Sequence, residues 1–121
     1  MPTLFMMRHA QAEHGGADHE RELSDKGISQ AKRRGTQLHG FTSRIDVALV
    51  SDARRTRQTA ELLGQEVELA QTQFLPELYD GSWKVIHGLL ADLEAESAIV
   101  IGHEPVISLS LIHISEPTRL L

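Results

Sequence analysis

Two histidines follow apolar segments that lie far apart in the chain. Residues 4–7 are apolar and lead into Arg8 and His9, and a second apolar run, residues 97–102, leads into His103. Short apolar runs of this kind favour β-strands that are buried on both faces of a parallel sheet. Since open α/β sheets bind ligands beyond the carboxyl ends of their strands, two such strands would bring both imidazoles into one site. The first segment taken alone is equally compatible with a surface arginine and a half-buried histidine.

Arginines are bunched in two parts of the chain, and one group begins directly after a predicted strand. Arg55 falls in the first turn of the helix that follows this strand. Backbone N–H groups at a helix N-terminus attract anions, and a guanidinium group there adds two parallel donors. A solvated arginine on the flank of a helix is the ordinary alternative. The bunched arginines, which could bind phosphate or carboxylate, are Arg33, Arg34, Arg54, Arg55 and Arg57.

A polar segment with two glycines, residues 11–23, follows the first strand and is predicted to be a loop. His14, Asp18 and His19 in this segment could be drawn as metal ligands, but a loop provides no regular ligand spacing. We therefore expect a solvated loop that borders the active site, and we expect no metal and no other cofactor. The chain has no cysteine, which excludes thiolate metal sites and disulfides and agrees with a reducing, cytoplasmic compartment.

Length and composition limit the class of protein. The 121 residues, 40% apolar and 4% aromatic, provide for one small domain with an aliphatic core. A formal net charge of −5 argues against nucleic acid as the main partner. No segment approaches the roughly 20 apolar residues of a membrane helix, and no signal segment is apparent, so no membrane partner is expected. The sequence does not indicate the oligomeric state.

Strand and helix patterns alternate along the chain in the order βαβαβαβ. This order predicts an α/β fold of three layers, α/β/α, with a mainly parallel central sheet. Ser24 is suited to cap the first helix, because its side chain can accept a hydrogen bond from the first turn. The elements predicted after the first strand are a helix from Ser24 to about Gly40, a strand over 45–50, a helix to about Leu63 that Gly64 closes, a short strand over 66–69, a loop over 74–81, a helix from Ser82 to about Leu93 and a strand over 97–102.

Four separated motifs resemble those of the histidine phosphatase superfamily, also called the phosphoglycerate mutase-like family, and they occur in the family's order. The resemblance extends from Thr3 to about Ser108. The chain departs from the motifs at two positions. Ala10 stands where the family has glycine, and Asp52 stands where the family has proline. A carboxylate at position 52 would weaken an anion site slightly. The four segments are Arg8-His9-Ala10, Leu23-Ser24-Asp25-Lys26-Gly27 with Gln30-Ala31, Ser51 to Ala60, and Gly102-His103-Glu104-Pro105.

Within the superfamily, the chain is similar to a small branch that includes the bacterial phosphohistidine phosphatases of the SixA type. The short length, the Arg-His-Ala variant and the Leu-Tyr-Asp-Gly-Ser stretch at 78–82 carry this similarity. The resemblance implies that His9 is a nucleophile, forming a phosphohistidine intermediate that water then hydrolyses. It also implies that Arg8, Arg55 and His103 bind the phosphoryl oxygens and stabilise charge in the transition state.

The general acid is the least defined of the implied roles. The spacing of Leu75, Glu77 and Gly81 resembles the one by which larger relatives place a catalytic glutamate, so Glu77 is the candidate and Asp80 the reserve. Alternatively, Glu77 caps or solvates a loop. Because imidazole leaves more readily than an alkoxide, a missing acid would favour phosphohistidine as the substrate.

Three functions are therefore compatible with the sequence. The first is a phosphatase that acts on a histidine-phosphorylated protein domain. The second is a phosphomonoesterase that acts on a small phosphate ester. The third is an inactive fragment that only binds phosphate.

The last segment of the chain resembles something other than the family. Residues 109–119 are similar to the translation of a transposase adapter used in sequencing libraries. We expect a C-terminally incomplete histidine phosphatase domain over residues 1–108 and a non-native tail over residues 109–121. An unusual native tail, in which Val106, Ile107 and Leu109 begin a helix, is the alternative. Because relatives continue with a helix and usually a strand, we expect the 121-residue chain to fold weakly and to be poorly active.

Overall fold

The computed structural model of the chain describes residues 3–10, 12, 17–80, 83–91, 95–103 and 118–121. Strands and helices alternate through these residues, as the sequence predicts. In chain order the elements are β1 (Thr3–Arg8), a 3₁₀ helix (Asp18–Glu20), α1 (Asp25–His39), β2 (Arg44–Ile45), β3 (Val47–Ser51), α2 (Arg54–Gly64), β4 (Glu68–Leu69), β5 (Thr72–Leu75), α3 (Glu77–Asp80), α4 (Trp83–Ala91), β6 (Ser97–Gly102) and β7 (Thr118–Leu120).

The main sheet has the strand order β5-β3-β6-β1-β7, and all of its neighbouring strands are parallel. This arrangement confirms the predicted α/β class with a parallel central sheet. In the register of the three central strands, Arg8 lies opposite Gly102, and Val50 lies opposite Ile101. The residues that come directly after these positions, His9, His103 and Ser51, therefore meet at the carboxyl edge of the sheet.

The core lies on both faces of this sheet, because side chains alternate along each strand. One face packs against α1 and α2, and the other packs against α3 and α4, which gives the three layers that the sequence predicts. Full burial of each large aliphatic side chain contributes about 1.5–3 kcal/mol. On the first face lie Phe5, Met7, Val50, Ile99 and Ile101 with Leu38, Ala60 and Leu63 of the helices. On the second lie Leu4, Met6, Leu49 and Val100 with Leu78 and Ile86.

Helix α1 begins where the capping pattern predicts. The Ser24 hydroxyl accepts a hydrogen bond from the backbone N–H of Gly27 at 3.0 Å. Gly35 lies in the buried stripe of this helix, and a Cβ atom added there would come within 3.0 Å of Glu66 Cγ. A side chain at this position would require the neighbouring residue to shift, so Gly35 is what allows α1 to approach the residues at the end of α2.

Two of the predicted elements are wrong in extent or type. Residues 74–81 are not simply a loop, because Phe74 and Leu75 belong to β5, which pairs with β3, and Glu77–Asp80 form α3. The strand is short and lies at the edge of the sheet, so half of its residues face solvent and its sequence lacks an apolar run. The strand expected over 66–69 is reduced to β4, which pairs with β2 outside the main sheet.

Smaller corrections concern the ends of predicted elements. The strand expected over 45–50 is divided at Asp46, whose carboxylate accepts backbone hydrogen bonds from Glu96 and Ser97. Gly64 is the last residue of α2, and Gln65 is its C-cap. Ser82 and Leu93, the ends expected for the helix before β6, lie outside the described residues.

The last described residues join the main sheet. Strand β7 pairs in parallel with β1, and Leu121 is buried in the core cluster beneath α1 and α2. The segment that resembles an adapter lies outside the described residues except for Thr118 and Arg119. Its foreign origin and the domain boundary at residue 108 stay predictions. No helix of the described part of the chain is long and apolar enough to cross a membrane.

Candidate active site

The carboxyl edge of the sheet brings together two histidines and a buried arginine. The backbone N–H of His9 donates to the carbonyl of Gly102 at 3.0 Å, which fixes His9 beside the end of β6. The ring centroids of His9 and His103 are 5.1 Å apart. Arg55, only 5% exposed, lies between them: its Nε is 3.2 Å from His9 Nε2, and its Nη2 is 3.4 Å from His103 Nδ1. These three groups form a compact site that carries the positive charge of Arg55.

One ring nitrogen of His9 has a fixed role. Its Nδ1 lies 2.6 Å from the carbonyl oxygen of Ala10. Because a carbonyl oxygen can only accept a hydrogen bond, Nδ1 must carry the proton. In the neutral ring, Nε2 is then left with a lone pair, and this nitrogen faces the Arg55 guanidinium. The arrangement presents a nucleophilic nitrogen to any anion that Arg55 binds.

The surroundings of His9 keep its ring neutral. Burial lowers the pKa of His9 below its ordinary value, and the positive charges of Arg55, Arg21 and Arg8 lower the pKa further. The hydrogen bond to the Ala10 carbonyl opposes these effects. A neutral imidazole retains the lone pair that a protonated ring lacks, so the same positive charges that would bind a phosphoryl group also favour the form of His9 that is able to act as a nucleophile.

The second histidine is held by a buried hydroxyl. His103 is 8% exposed, and its Nε2 lies 2.7 Å from Oγ of the fully buried Ser51. This contact at Nε2 turns Nδ1 toward Arg55 and His9. If the Ser51 hydroxyl donates to Nε2, then Nδ1 carries the proton and can donate to an oxygen of a bound anion.

Helix α2 places Arg55 through hydrogen bonds of its own motif residues. The Thr59 hydroxyl donates to the carbonyl of Arg55 at 2.7 Å and accepts from the N–H of Ala10 at 3.3 Å, so it connects the helix to the residue after His9. The Gln58 carbonyl oxygen accepts from the backbone N–H of Leu23 at 2.7 Å. These contacts explain the Gln-Thr pair in the motif, for which the sequence suggested no role.

A half-open cleft of about 690 Å³ lies over these groups. Arg8 is exposed and lines the cleft, so its guanidinium group can reach a ligand without being buried. The residues that line the cleft are Met7, Arg8, His9, Ala10, Gln30, Arg33, Arg34, Gln37, Arg55, His103 and Leu121. The two arginines of α1 therefore border the same cleft as the histidines, which the sequence alone did not suggest.

Glu77 does not lie with this group. It is exposed at the first residue of α3 and is absent from the described residues that line the cleft. The side chain of the reserve candidate Asp80 lies outside the described part of the structure. A carboxylate near the phosphoryl position is therefore not found among the described side chains of the cleft, and the general acid stays a prediction.

The segment after β1 contacts the residues that follow β3. His19 Nε2 lies 3.0 Å from Asp52 Oδ1, and this hydrogen bond raises the pKa of His19. The Asp52 carboxylate, which departs from the family motif, is thus engaged by an imidazole. Of the other residues considered as metal ligands, His14 and the side chain of Asp18 lie outside the described residues.

Two contributors escaped the sequence analysis. Tyr79 of α3 lies edge-on to His103, with ring centroids 5.4 Å apart, and the Arg55 guanidinium is 6.0 Å from the centre of its ring. Arg21 adds a positive charge near His9. Arg21 belongs to no recognised motif, and the Leu-Tyr-Asp-Gly-Ser stretch that contains Tyr79 suggested no role for this ring in the site. The folding of residues 17–23 and of α3 over the sheet edge brings both residues there.

An α/β protein that gathers imidazole and guanidinium groups at the carboxyl edge of a parallel sheet is suited to bind and transfer phosphoryl groups. The sequence profile of the histidine phosphatase superfamily (branch 1) matches residues 4–100. The chain belongs to this superfamily.

Individual relatives agree with this assignment. A protein of uncharacterised function from Mycobacterium tuberculosis is 34% identical over 107 residues, which is 84% of this chain and 65% of that protein. Phosphohistidine phosphatase SixA of Escherichia coli is 32% identical over 110 residues, covering 86% of this chain and 68% of that protein. A structure of the protein histidine phosphatase SixA complexed with tungstate superposes with a TM-score of 0.84 and 29% identity, covering 89% of this chain and 73% of that one. The chain thus spans about 65% of the length of the mycobacterial relative.

Proposed function

We propose that this protein is a phosphohistidine phosphatase, which removes a phosphoryl group from a histidine of a phosphorylated protein. The observation that carries the proposal is the arrangement of His9, whose Nδ1 is bound to a carbonyl and whose Nε2 faces Arg55 at 3.2 Å. The similarity to the SixA proteins supports the choice of substrate.

The proposed reaction has two steps. Nε2 of His9 attacks the phosphorus atom, a new P–N bond forms, and the bond from phosphorus to the substrate's imidazole nitrogen breaks. Water then attacks the phosphorus of the phosphorylated His9, which returns to the neutral ring while inorganic phosphate leaves. Arg8, Arg55 and His103 stabilise the charge on the phosphoryl oxygens in both steps, a role supported by their place in the lining of the same cleft as His9.

The described lining of the cleft contains no carboxylate, which supports phosphohistidine over a phosphate ester. An ester expels an alkoxide, which needs a proton from a general acid, whereas imidazole is a better leaving group. Within the described residues, no acidic side chain lines the cleft, and Glu77 is exposed outside it. If Glu77 is a general acid, α3 must bring it closer when substrate binds. A phosphomonoesterase for small esters is the second candidate. It requires that Glu77 approaches the cleft in the complex with substrate.

The decisive experiment is a search for the covalent intermediate. Brief incubation of the 121-residue chain with a ³²P-labelled histidine-phosphorylated protein should give an acid-labile, alkali-stable adduct on His9. The His9→Ala variant should give none. His39→Ala is the matched control, because His39 is an exposed histidine at the end of α1 and should leave the adduct unchanged.

Substrate preference separates the alternatives. A phosphohistidine phosphatase should hydrolyse the phosphoprotein much faster than sugar phosphates, and the reverse order would favour the phosphomonoesterase. Phosphate binding without any adduct would favour an inactive fragment, and an active His9→Ala variant would refute the assignment of the nucleophile. The cytoplasmic location expected from the sequence belongs to the same proposal.

A further inference from the structure

The cleft is larger than a phosphoryl group requires. Its volume of about 690 Å³ is typical of sites that enclose a whole drug-sized ligand. His9, Arg55 and His103 line the cleft beside the carboxyl ends of β1 and β6. Helix α1 provides a second wall, lined by residues that the mechanism above does not use. This wall is available to a part of the substrate other than the phosphoryl group.

The residues of this wall form one stripe of α1. Gln30, Arg33, Arg34 and Gln37 stand at positions i, i+3, i+4 and i+7, so they share one side of the helix. The stripe borders the buried positions by which α1 packs on the rest of the domain. Lys32 is also exposed on α1, but it lies outside the cleft. The helix therefore directs two of its three central cations toward the cleft.

These two cations are not neutralised within the described part of the chain. Arg34 Nη1 donates to Gln37 Oε1 at 3.2 Å, a neutral partner, and no carboxylate there pairs with Arg33 or Arg34. Arginines elsewhere on the surface behave differently, since Arg44 contacts Glu68 at 2.9 Å and Arg54 contacts Glu22 at 3.1 Å. Within the described residues, Arg33 and Arg34 therefore differ from Arg44 and Arg54 in having no ion pair with a carboxylate.

The cleft as a whole has a positive lining in an acidic protein. Its described lining includes four arginines, at positions 8, 33, 34 and 55, and no acidic residue, although the chain has a formal net charge of −5. Concentrating one sign of charge in a concave surface raises the local concentration of oppositely charged ligands. A single phosphoryl group would engage the part near His9 and would leave the α1 wall without a ligand.

We infer that Arg33 and Arg34 form a second anion subsite, which binds a carboxylate of the substrate protein while the phosphohistidine occupies the part near His9. Planar guanidinium groups match a carboxylate by two parallel hydrogen bonds, and the Gln30 and Gln37 amides beside them can donate as well. The inference rests on the proposed function for the identity of the substrate. It predicts that the enzyme prefers phosphohistidines with acidic neighbours.

The test compares two phosphohistidine peptides that differ only in the residues near the phosphohistidine, glutamates in one and glutamines in the other. The wild-type chain should hydrolyse the acidic peptide with a kcat/KM about 3- to 10-fold higher, as expected for two partly solvated ion pairs. The double variant Arg33→Gln/Arg34→Gln should lose this preference and keep its activity on the neutral peptide. Lys32→Gln, the control on the same helix, should keep the preference.

A binding measurement makes the result independent of turnover. Peptides with a non-hydrolysable phosphonate analogue of phosphohistidine should show the same acidic preference in Kd, and raising the salt from about 0.05 M to 0.5 M should diminish it. The inference is overturned if the wild type binds both analogues equally, or if the double variant weakens both equally. If the arginine-dependent preference appears only with small phosphate esters that carry a second acidic group, the subsite stands and the proposed protein substrate is wrong.

Discussion

Replacing Arg55 with alanine should remove most of the activity and shift its pH dependence. Arg55 is buried, and two of its three donor nitrogens, Nε and Nη2, lie 3.2 Å from His9 and 3.4 Å from His103. An anion bound between these groups would receive hydrogen bonds from the Arg55 guanidinium, and alanine has no donor to replace them. Arg54 and Arg57 belong to the same helix but are exposed, so they provide matched controls.

The size of the effect follows from the position of the charge. Removing one preorganised donor from an anionic transition state typically costs about 2.7–4 kcal/mol, which corresponds to roughly 100- to 1,000-fold in kcat. Coulomb's law gives a similar figure of about 4 kcal/mol for two unit charges 4 Å apart at an effective dielectric constant near 20. Arg54→Ala and Arg57→Ala should change kcat by less than about 3-fold, because exposed charges contribute less than about 1 kcal/mol.

The pH dependence provides an independent readout. The charge of Arg55 is one of the causes that lower the pKa of His9, after the larger effect of burial. Without Arg55 the pKa of His9 should rise, so a larger fraction of the ring is protonated at mildly acidic pH. The acidic limb of the kcat/KM profile should therefore move to higher pH in Arg55→Ala and stay in place in Arg54→Ala.

The assay is phosphate release from a histidine-phosphorylated protein between about pH 5 and 8, with circular dichroism to verify that each variant is folded. Equal losses for the three arginine variants would show that the wrong arginine was chosen. A large loss in a folded Arg55→Ala protein whose pH profile is unchanged would refute the reasoning about His9. Arg55→Lys retains the charge without the planar fork, so it should preserve the pH profile better than the rate.

Three further predictions follow from other features. Ser51→Ala should lower kcat by about 10-fold with little change in KM, because the buried hydrogen bond that orients His103 is lost. Lowering the pH from about 7 to 5 should decrease the free energy of unfolding more in the wild type than in His9→Gln. The reason is that the pKa of His9 is lowered on folding, so the unfolded chain binds the proton first as the pH falls. Urea denaturation of both proteins measures this difference. Resequencing the source gene across codon 108 should show that residues 109–119 are absent from the genome, whereas an uninterrupted genomic frame, a cooperative melt and full activity would contradict that prediction.

The elements predicted correctly from the sequence are those whose signals are local. Ser24 caps α1 because the cap and its partner Gly27 are three positions apart, and β6 coincides with the apolar run that ends at residue 102. Strand β5 was not predicted because it exists through its pairing with β3. The types of its own four residues carry little information about that pairing. The division of the strand expected over 45–50 could not be predicted either, because the residues that bind the Asp46 carboxylate, Glu96 and Ser97, lie about 50 positions away in the sequence.

The sequence by itself determined the family and the parallel α/β class, and it proposed His9, Arg8, Arg55 and His103 as site residues, because these inferences depend on residue types and spacing within short motifs. The tertiary structure decided what these residues do to one another. His9 and Arg55 are 46 positions apart, Arg55 and His103 are 48 apart, and Ser51 and His103 are 52 apart, so only the register of β3, β6 and β1 brings them into contact. The lowered pKa of His9 and the shared cleft of Arg33 and Arg34 depend on the same packing, since burial and the distances between charges exist only when the sheet and its helices are assembled.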